Sequence, residues 1–452
     1  DLVGVAHKAT SLCQDAAHAI THTSLEITKA GLSAAGAKEG ELLRIALGDE
    51  TAEVITVVER IARQFASPLL RVPLPDLVAT ARAWAAMQRA AKAGDPTANE
   101  GQLTALPQHS ERWMRFAAAT FGAAWFAGLV DGPSNAFFSV AHLANTQDRG
   151  AADAALVCAG LEGHVEVISF EERTGDMFVP GYMVAVDHEV GTVVVAFRGT
   201  SSISDALVDL LCEPAPVQLG GLDGSAHSGM LRAAQRLDVA VAALADDGLA
   251  RLAPERQRRI MICGHSLGAG VAALLAALWR DAGRFPGVDV QCMAFACPQV
   301  LDQQLAAALS NHTTSVIVGE DLVPRLSLAS AINLREALLR ISDPEAFHLP
   351  RVFAADEALA AEESGNTETL EVAYGAIRGA ALMSPKQLAP AGRLIHLAPG
   401  KAPRTVGSEN FEELIISHDM ASAHMPHRYL AAIQRVGSAS ASVPTTAPPA
   451  TS

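Results

Sequence analysis

The apolar run RIMIC, residues 259–263, passes straight into Gly264-His265-Ser266-Leu267-Gly268 and then, after Ala269-Gly270, into the helix-forming stretch VAALLAALWR. A short buried-strand pattern, a glycine-flanked serine and a helix in immediate succession define a strand-turn-helix unit with the serine at its apex. That unit admits few architectures. The serine must adopt a strained backbone so that Oγ projects from the sheet edge, and the glycines two residues to either side let strand and helix approach closely. The helix also directs its first amides at the serine. Ser266 is therefore the candidate nucleophile, with Gly264, His265 and Gly268 forming its elbow.

Four further runs, YMVAV from Tyr182, TVVVAF from Thr192, VQCMAF from Val290 and SVIV from Ser315, are almost wholly apolar and do not alternate. Such strands are buried on both faces, which predicts an α/β fold with a mostly parallel central sheet. RLIHL from Arg393 and ELIIS from Glu413, separated by a polar loop containing Pro403 and Gly407, predict a hairpin at the end of that sheet.

Before the sheet, apolar residues at helical spacing (Val54, Val58, Ile61, Phe65) predict amphipathic helices up to about residue 93. A linker follows from Gly94 to Pro107, then a second helical segment from His109 to Val130. The expected organisation is an α-helical region over 1–130, an α/β domain over 131–436 and a disordered Ser/Thr/Pro-rich tail over 437–452. Within the α/β domain, Asp343, Glu345, Asp356, Glu357, Glu362, Glu363, Glu368 and Glu371 mark a solvated acidic insertion over about 343–389.

The chain has 452 residues, half of them hydrophobic, which excludes disorder over most of its length. Lys and Arg number 34 against 49 Asp and Glu, a net charge of −15, with no basic stripe. Nucleic acid and strongly anionic membrane surfaces are not expected as partners, and a substrate of little charge is expected. Six scattered cysteines read as buried free thiols of a reducing compartment. The longest uncharged apolar stretch, Phe116 to Val130, falls short of the ~20 residues that span a bilayer, so no transmembrane helix is expected. The start at Asp1, without a signal pattern, suggests that a leader or longer region precedes it. An intracellular location, cytoplasmic or at a membrane periphery, is expected, with secretion after loss of a leader as the alternative.

A serine nucleophile needs a base and an orienting acid, and in this fold they follow in the order Ser, Asp, His. Asp321 stands just after SVIV, where an orienting acid belongs, although a turn or helix-cap aspartate would look the same. His418, His424 and His427 are the candidate bases, and spacing alone does not choose among them. Those three with Asp419 lack a standard zinc spacing. His18 and His22, with Cys13 nearby, read as an ordinary polar helix face, so no metal is expected.

Taken together, PGYMVAVDHEVGTVVVAFRGT, SSISDALVDLL, HSGM, GHSLGAG, AFACP, VGEDLVPRLSL, GRLIHL and ISHDMASAHMP resemble the class 3 lipases, and within them the sn-1-specific diacylglycerol lipase branch. The resemblance covers about residues 178 to 432 and implies an α/β-hydrolase fold. It implies Ser266 as nucleophile, Asp321 as orienting acid, His424 as base, and an oxyanion hole from the amides of Thr200 and Leu267. It further implies a lid over about 201–216, with Ile203, Leu207, Leu210 and Leu211 on its apolar face, and a regulatory gate in the acidic insertion. The implied activity is hydrolysis of a neutral acylglycerol ester, diacylglycerol at sn-1, at a lipid-water interface without metal or organic cofactor. Triacylglycerol lipolysis and phospholipase A1 cleavage keep the same machinery; an inactive lipid-responsive scaffold is the alternative of another class. Animal diacylglycerol lipases carry a multi-spanning membrane region before the catalytic domain. Here the corresponding helices look soluble, leaving peripheral membrane contact through the lid or through Phe116 to Val130, although a buried helix packing on the sheet is the preferred reading of that apolar segment; no protein partner of the N-terminal helices is identified.

Overall fold

The structure, a computed structural model, describes residues 72–94, 101–122, 150–172, 179–200, 214–253, 257–381 and 388–441. The expected lid residues Ile203, Leu207, Leu210 and Leu211, the helices before residue 72, His18, His22 and Cys13, residues 123–130 of the apolar segment and the last residues of the tail lie outside them. Two compact units divide the described chain. One holds residues 72–94, 328–381 and 416–418, and the other holds the remainder.

Among the described residues the larger unit has thirteen strands: β1 (Gln102–Leu103), β2 (Val165–Glu171), β3 (Tyr182–Asp187), β4 (Thr192–Phe197), β5 (Pro214–Leu219), β6 (Leu222–His227), β7 (Arg259–His265), β8 (Asp289–Phe295), β9 (Leu301–Asp302), β10 (Thr313–Val318), β11 (Leu388–Ala389), β12 (Arg393–Leu397) and β13 (Arg404–Val406). Nine of them form one sheet in the order β1-β13-β12-β10-β8-β7-β4-β3-β2. The pairs β4·β7, β7·β8, β8·β10 and β10·β12 are parallel, and the flanking pairs are antiparallel. This is a mixed, mostly parallel α/β-hydrolase sheet. A small second sheet runs β11-β9-β6-β5.

The described helices are α1 (Leu74–Gly94), α2 (Ser110–Ala119), α3 (Ala151–Ala159), α4 (Ser228–Arg251), α5 (Leu267–Asp281), α6 (Gln303–Ala308), α7 (Leu328–Ser342), α8 (Ala355–Glu363), α9 (Thr367–Ala381) and α10 (Pro426–Ala441). Alternate strand residues Met183, Ala185, Val194, Met261, Phe295 and Val316 form one core with Trp113, Met114 and Phe116 of α2 and Leu430 and Ile433 of α10. The intervening residues Val193, Val195, Ile260 and Ile262 are also fully buried. By strand alternation they face the opposite side, where Gly248 of α4 leaves no room for a Cβ beside Val193. Apolar cover on both faces explains why these strands read as uninterrupted hydrophobic runs.

Three expectations change. Helix α10 runs on to Ala441, so residues 437–441 of the expected tail are helical. The strand beside β12 is Arg404–Val406, inside the loop read as polar, whereas ELIIS is irregular. Its apolar residues enter cores instead of a ladder: Ile416 packs in the smaller unit, and its N–H donates to Gln88 Oε1 (3.0 Å). The division of the chain also does not fall at residue 130. Helix α2 belongs to the sheet unit because its apolar face covers the sheet, while α1 belongs with the 328–381 helices.

In the smaller unit α1, α7, α8 and α9 enclose a core that includes Trp84, Met87, Ile341, Leu370 and Ile377. Trp84 stacks on Tyr374 with centroids 5.3 Å apart. The acidic stretch therefore has a buried side. All eight acids named above are exposed, while Ala358, Leu370, Ala373 and Ile377 turn inward. No described helix is long and apolar enough to cross a membrane.

Candidate active site

β7 ends at His265 and α5 begins at Leu267, leaving Ser266 between them at φ 60°, ψ −129°. A non-glycine residue persists in such a conformation only where its surroundings fix it. Ser266 N–H donates to Phe295 O of the neighbouring strand (2.9 Å), and Ser266 O accepts from Ala269 N–H (2.9 Å). A Cβ on Gly264 would strike the Gly268 backbone, and one on Gly268 would strike Phe197 O and lie 2.6 Å from Arg198 O. Gly199, not singled out from the sequence, is equally tight: its Cβ would lie 2.7 Å from His265 O and 3.1 Å from Ser266 Cβ. The Arg-Gly-Thr segment thus presses against the serine turn.

Around this turn the structure brings together three distant residues. His424 Nε2 lies 3.0 Å from Ser266 Oγ, and His424 Nδ1 lies 3.0 and 3.1 Å from the two carboxylate oxygens of Asp321. All three are buried. Of the candidate bases only His424 reaches the serine; His418 belongs to the smaller unit, and His427 lies on α10 with Nδ1 buried and without a partner among the described residues. Asp321 follows β10 after Gly319, whose φ of 54° turns the chain. Its Oδ1 also accepts Val323 N–H (2.9 Å) and its Oδ2 the hydroxyl of Tyr429 (2.5 Å).

Tyr429 escaped the sequence reading. Its only signal is a tyrosine in the first turn of the helix after His424, and nothing in sequence links it to Asp321, 108 residues away. The same hydroxyl accepts Val318 N–H (3.2 Å). Burial and then the Asp321 charge push its ionisation well above the usual phenol value, so it remains a donor. Arg325, also not singled out, is buried nearby; it donates to Asn410 O (2.6 Å) and lies over the Phe411 ring at 5.0 Å. His265 donates toward the main chain of His424, and burial followed by the neighbouring His424 holds its imidazole well below the usual value.

The two segments that meet at the serine turn carry the amides of Leu267 and Thr200. Leu267 is the first residue of α5, so its N–H lies outside the helix's own ladder and at the positive end of its dipole. Thr200 follows Gly199, and its Oγ1 is buried with no partner among the described residues. Cys263, Cys292 and Cys297 are buried free thiols, with burial raising each.

Residues 194–331 match the class 3 lipase family model. Diacylglycerol lipase-beta of Mus musculus is 36% identical over 38% of this chain and 25% of its own length. Diacylglycerol lipase-alpha of Rattus norvegicus is 27% identical over 56% of this chain and 27% of its own. The chain spans about a quarter of the length of these curated relatives. A solved mono- and diacylglycerol lipase from Aspergillus oryzae aligns at 25% identity over 49% of this chain and 74% of that one, with a TM-score of 0.35, too loose a superposition to bear on the site. Residues 194–331, which hold Ser266 and Asp321, belong to the class 3 lipases, a family of hydrolases, on the branch of the diacylglycerol lipases.

Proposed function

We propose that this chain is a serine lipase that hydrolyses neutral acylglycerols, diacylglycerol foremost and at its sn-1 ester, at a lipid-water interface that it contacts peripherally. The observation that carries the chemistry is the unbroken relay from Ser266 Oγ through both nitrogens of His424 to Asp321. The relatives named diacylglycerol lipases support the substrate class.

In this reading His424 Nε2 takes the Ser266 proton as Oγ attacks the ester carbonyl, while Asp321 holds Nδ1–H and so fixes the tautomer. Charge then develops on the carbonyl oxygen. Thr200 N–H and Leu267 N–H meet it, with Thr200 Oγ–H as an additional donor, and as fixed dipoles they need little reorganisation. The imidazolium returns its proton to the departing glycerol oxygen. Water, deprotonated by His424, then attacks the acyl-enzyme; fatty acid leaves and Ser266 regains its proton.

The test is labelling by a fluorophosphonate probe with mass-spectrometric mapping of the adduct. Label on Ser266, absent in Ser266→Ala, is expected; a folded chain that takes no label would remove the reading.

A further inference from the structure

The imidazole of His265 has no part in the steps above, yet it is 2% exposed and lies within the machinery. Its Nε2 is 2.8 Å from the backbone carbonyl oxygen of His424. A carbonyl only accepts, so Nε2 carries the proton and Nδ1 is bare. Nδ1 is buried with no partner among the described residues. The ring faces that of His424 at 4.8 Å between centroids and meets the rings of Tyr429 and Phe121 edge-on at 5.5 and 6.2 Å. Among the described residues the His424 carbonyl is the one hydrogen-bond partner of this ring.

His424 stands two residues before α10, and among the described residues no backbone N–H donates to its carbonyl. The bonds of the surrounding turn bypass it: Ala423 N–H donates to Asp419 O (2.7 Å), Met425 N–H to Ser422 O (3.2 Å) and Tyr429 N–H to Met425 O (3.3 Å). The main chain at the base is thus secured by a side chain from the residue next to the nucleophile.

We propose that His265 is a positioning residue, whose Nε2–H fixes the His424 carbonyl and thereby sets the distance between the His424 imidazole and Ser266 Oγ. This rests on the reading of Ser266 as nucleophile and His424 as base. The imidazole of His424 is then held from two sides, at Nδ1 by Asp321 and through its backbone by His265. Because Nε2 of His424 must stay within reach of Oγ, a small drift of the turn would lengthen the proton-transfer path, and misplacement of about 1 Å costs on the order of 100-fold. Burial and the adjacent His424 keep the His265 ring neutral, so it adds no positive charge beside the imidazolium that forms during turnover.

The test compares His265→Phe, which keeps a buried ring without the donor, with His265→Gln, whose amide can restore a donor near the position of Nε2. Two readouts are taken on the full chain: kcat and KM for a short soluble ester, and the second-order rate of fluorophosphonate labelling at Ser266. His265→Phe is expected to lower kcat and the labelling rate about 10- to 100-fold with KM within about twofold, and His265→Gln to recover most of both. Phe at wild-type kcat and labelling rate would overturn the proposal. If the Phe variant does not fold, a folded Gln variant as slow as His265→Ala overturns it equally. Failure of the substrate reading is separate: a chain that labels at Ser266 but turns over no acylglycerol still tests His265, whereas a wild-type chain that never labels removes both.

Discussion

Tyr429 donates its hydroxyl to Asp321 Oδ2 at 2.5 Å while accepting Val318 N–H at 3.2 Å, which ties the Asp321 carboxylate to the helix after His424 and to the end of its own strand. Tyr429→Phe leaves a buried carboxylate one donor short. It should destabilise the chain by about 1–3 kcal/mol, the penalty of an unsatisfied buried group, and lower kcat about tenfold. Denaturant titration and initial rates on a short soluble ester check this; no change in either would mean that Asp321 is held without the tyrosine.

Asp321→Asn removes the acceptor that selects the His424 tautomer while keeping the side-chain volume. Turnover should fall by about three to four orders of magnitude with an unchanged circular dichroism spectrum. A variant with near-normal turnover would assign the orienting role to another acid.

Gly268→Ala places a methyl group against Phe197 O and Arg198 O, backbone atoms that cannot swing aside. The elbow and the Arg-Gly-Thr segment must separate, moving the Leu267 and Thr200 amides apart. Fluorophosphonate labelling should fall at least ~100-fold, with destabilisation of about 1–3 kcal/mol. Labelling at the wild-type rate would show that the two segments need not approach so closely.

Burial lowers three imidazoles, His265, His312 and His427, His312 to about 4 with Arg280 adding to the effect. Their unfolded values lie near ~6.5. Below that pH the unfolded state binds more protons than the folded one, so their contribution is lost as pH falls from about 6.5, and for His312 the loss levels off once pH passes about 4. The urea midpoint should drop between pH 7.5 and 5, and less so in His312→Gln. Equal drops in variant and wild type would show that His312 titrates normally.

The strands were the most legible part of the fold. RIMIC, TVVVAF and SVIV lie within β7, β4 and β10, because a strand covered on both faces must be apolar at every position. ELIIS has the same composition yet is irregular, since Ile416 satisfies its backbone with Gln88, a partner 328 residues away in sequence. In the sequence the acidic stretch after residue 343 is dominated by its charges, and its inward face, one residue in three or four, shows only once α1 is present to cover it. At the site, Ser266 could be found from the chain alone because its constraints are local. Choosing His424 over His418 and His427 took the family pattern or the fold, and Tyr429 and the donor role of His265 depend on contacts across 108 and 159 residues.

The most direct measurement is hydrolysis of diacylglycerol, triacylglycerol, monoacylglycerol and phosphatidylcholine in matched mixed micelles, with Ser266→Ala as the blank. A clear preference for diacylglycerol, with fatty acid released from sn-1 and all release abolished in Ser266→Ala, is the predicted result. Release that persists in Ser266→Ala, or a folded chain that hydrolyses none of the four, would contradict the account.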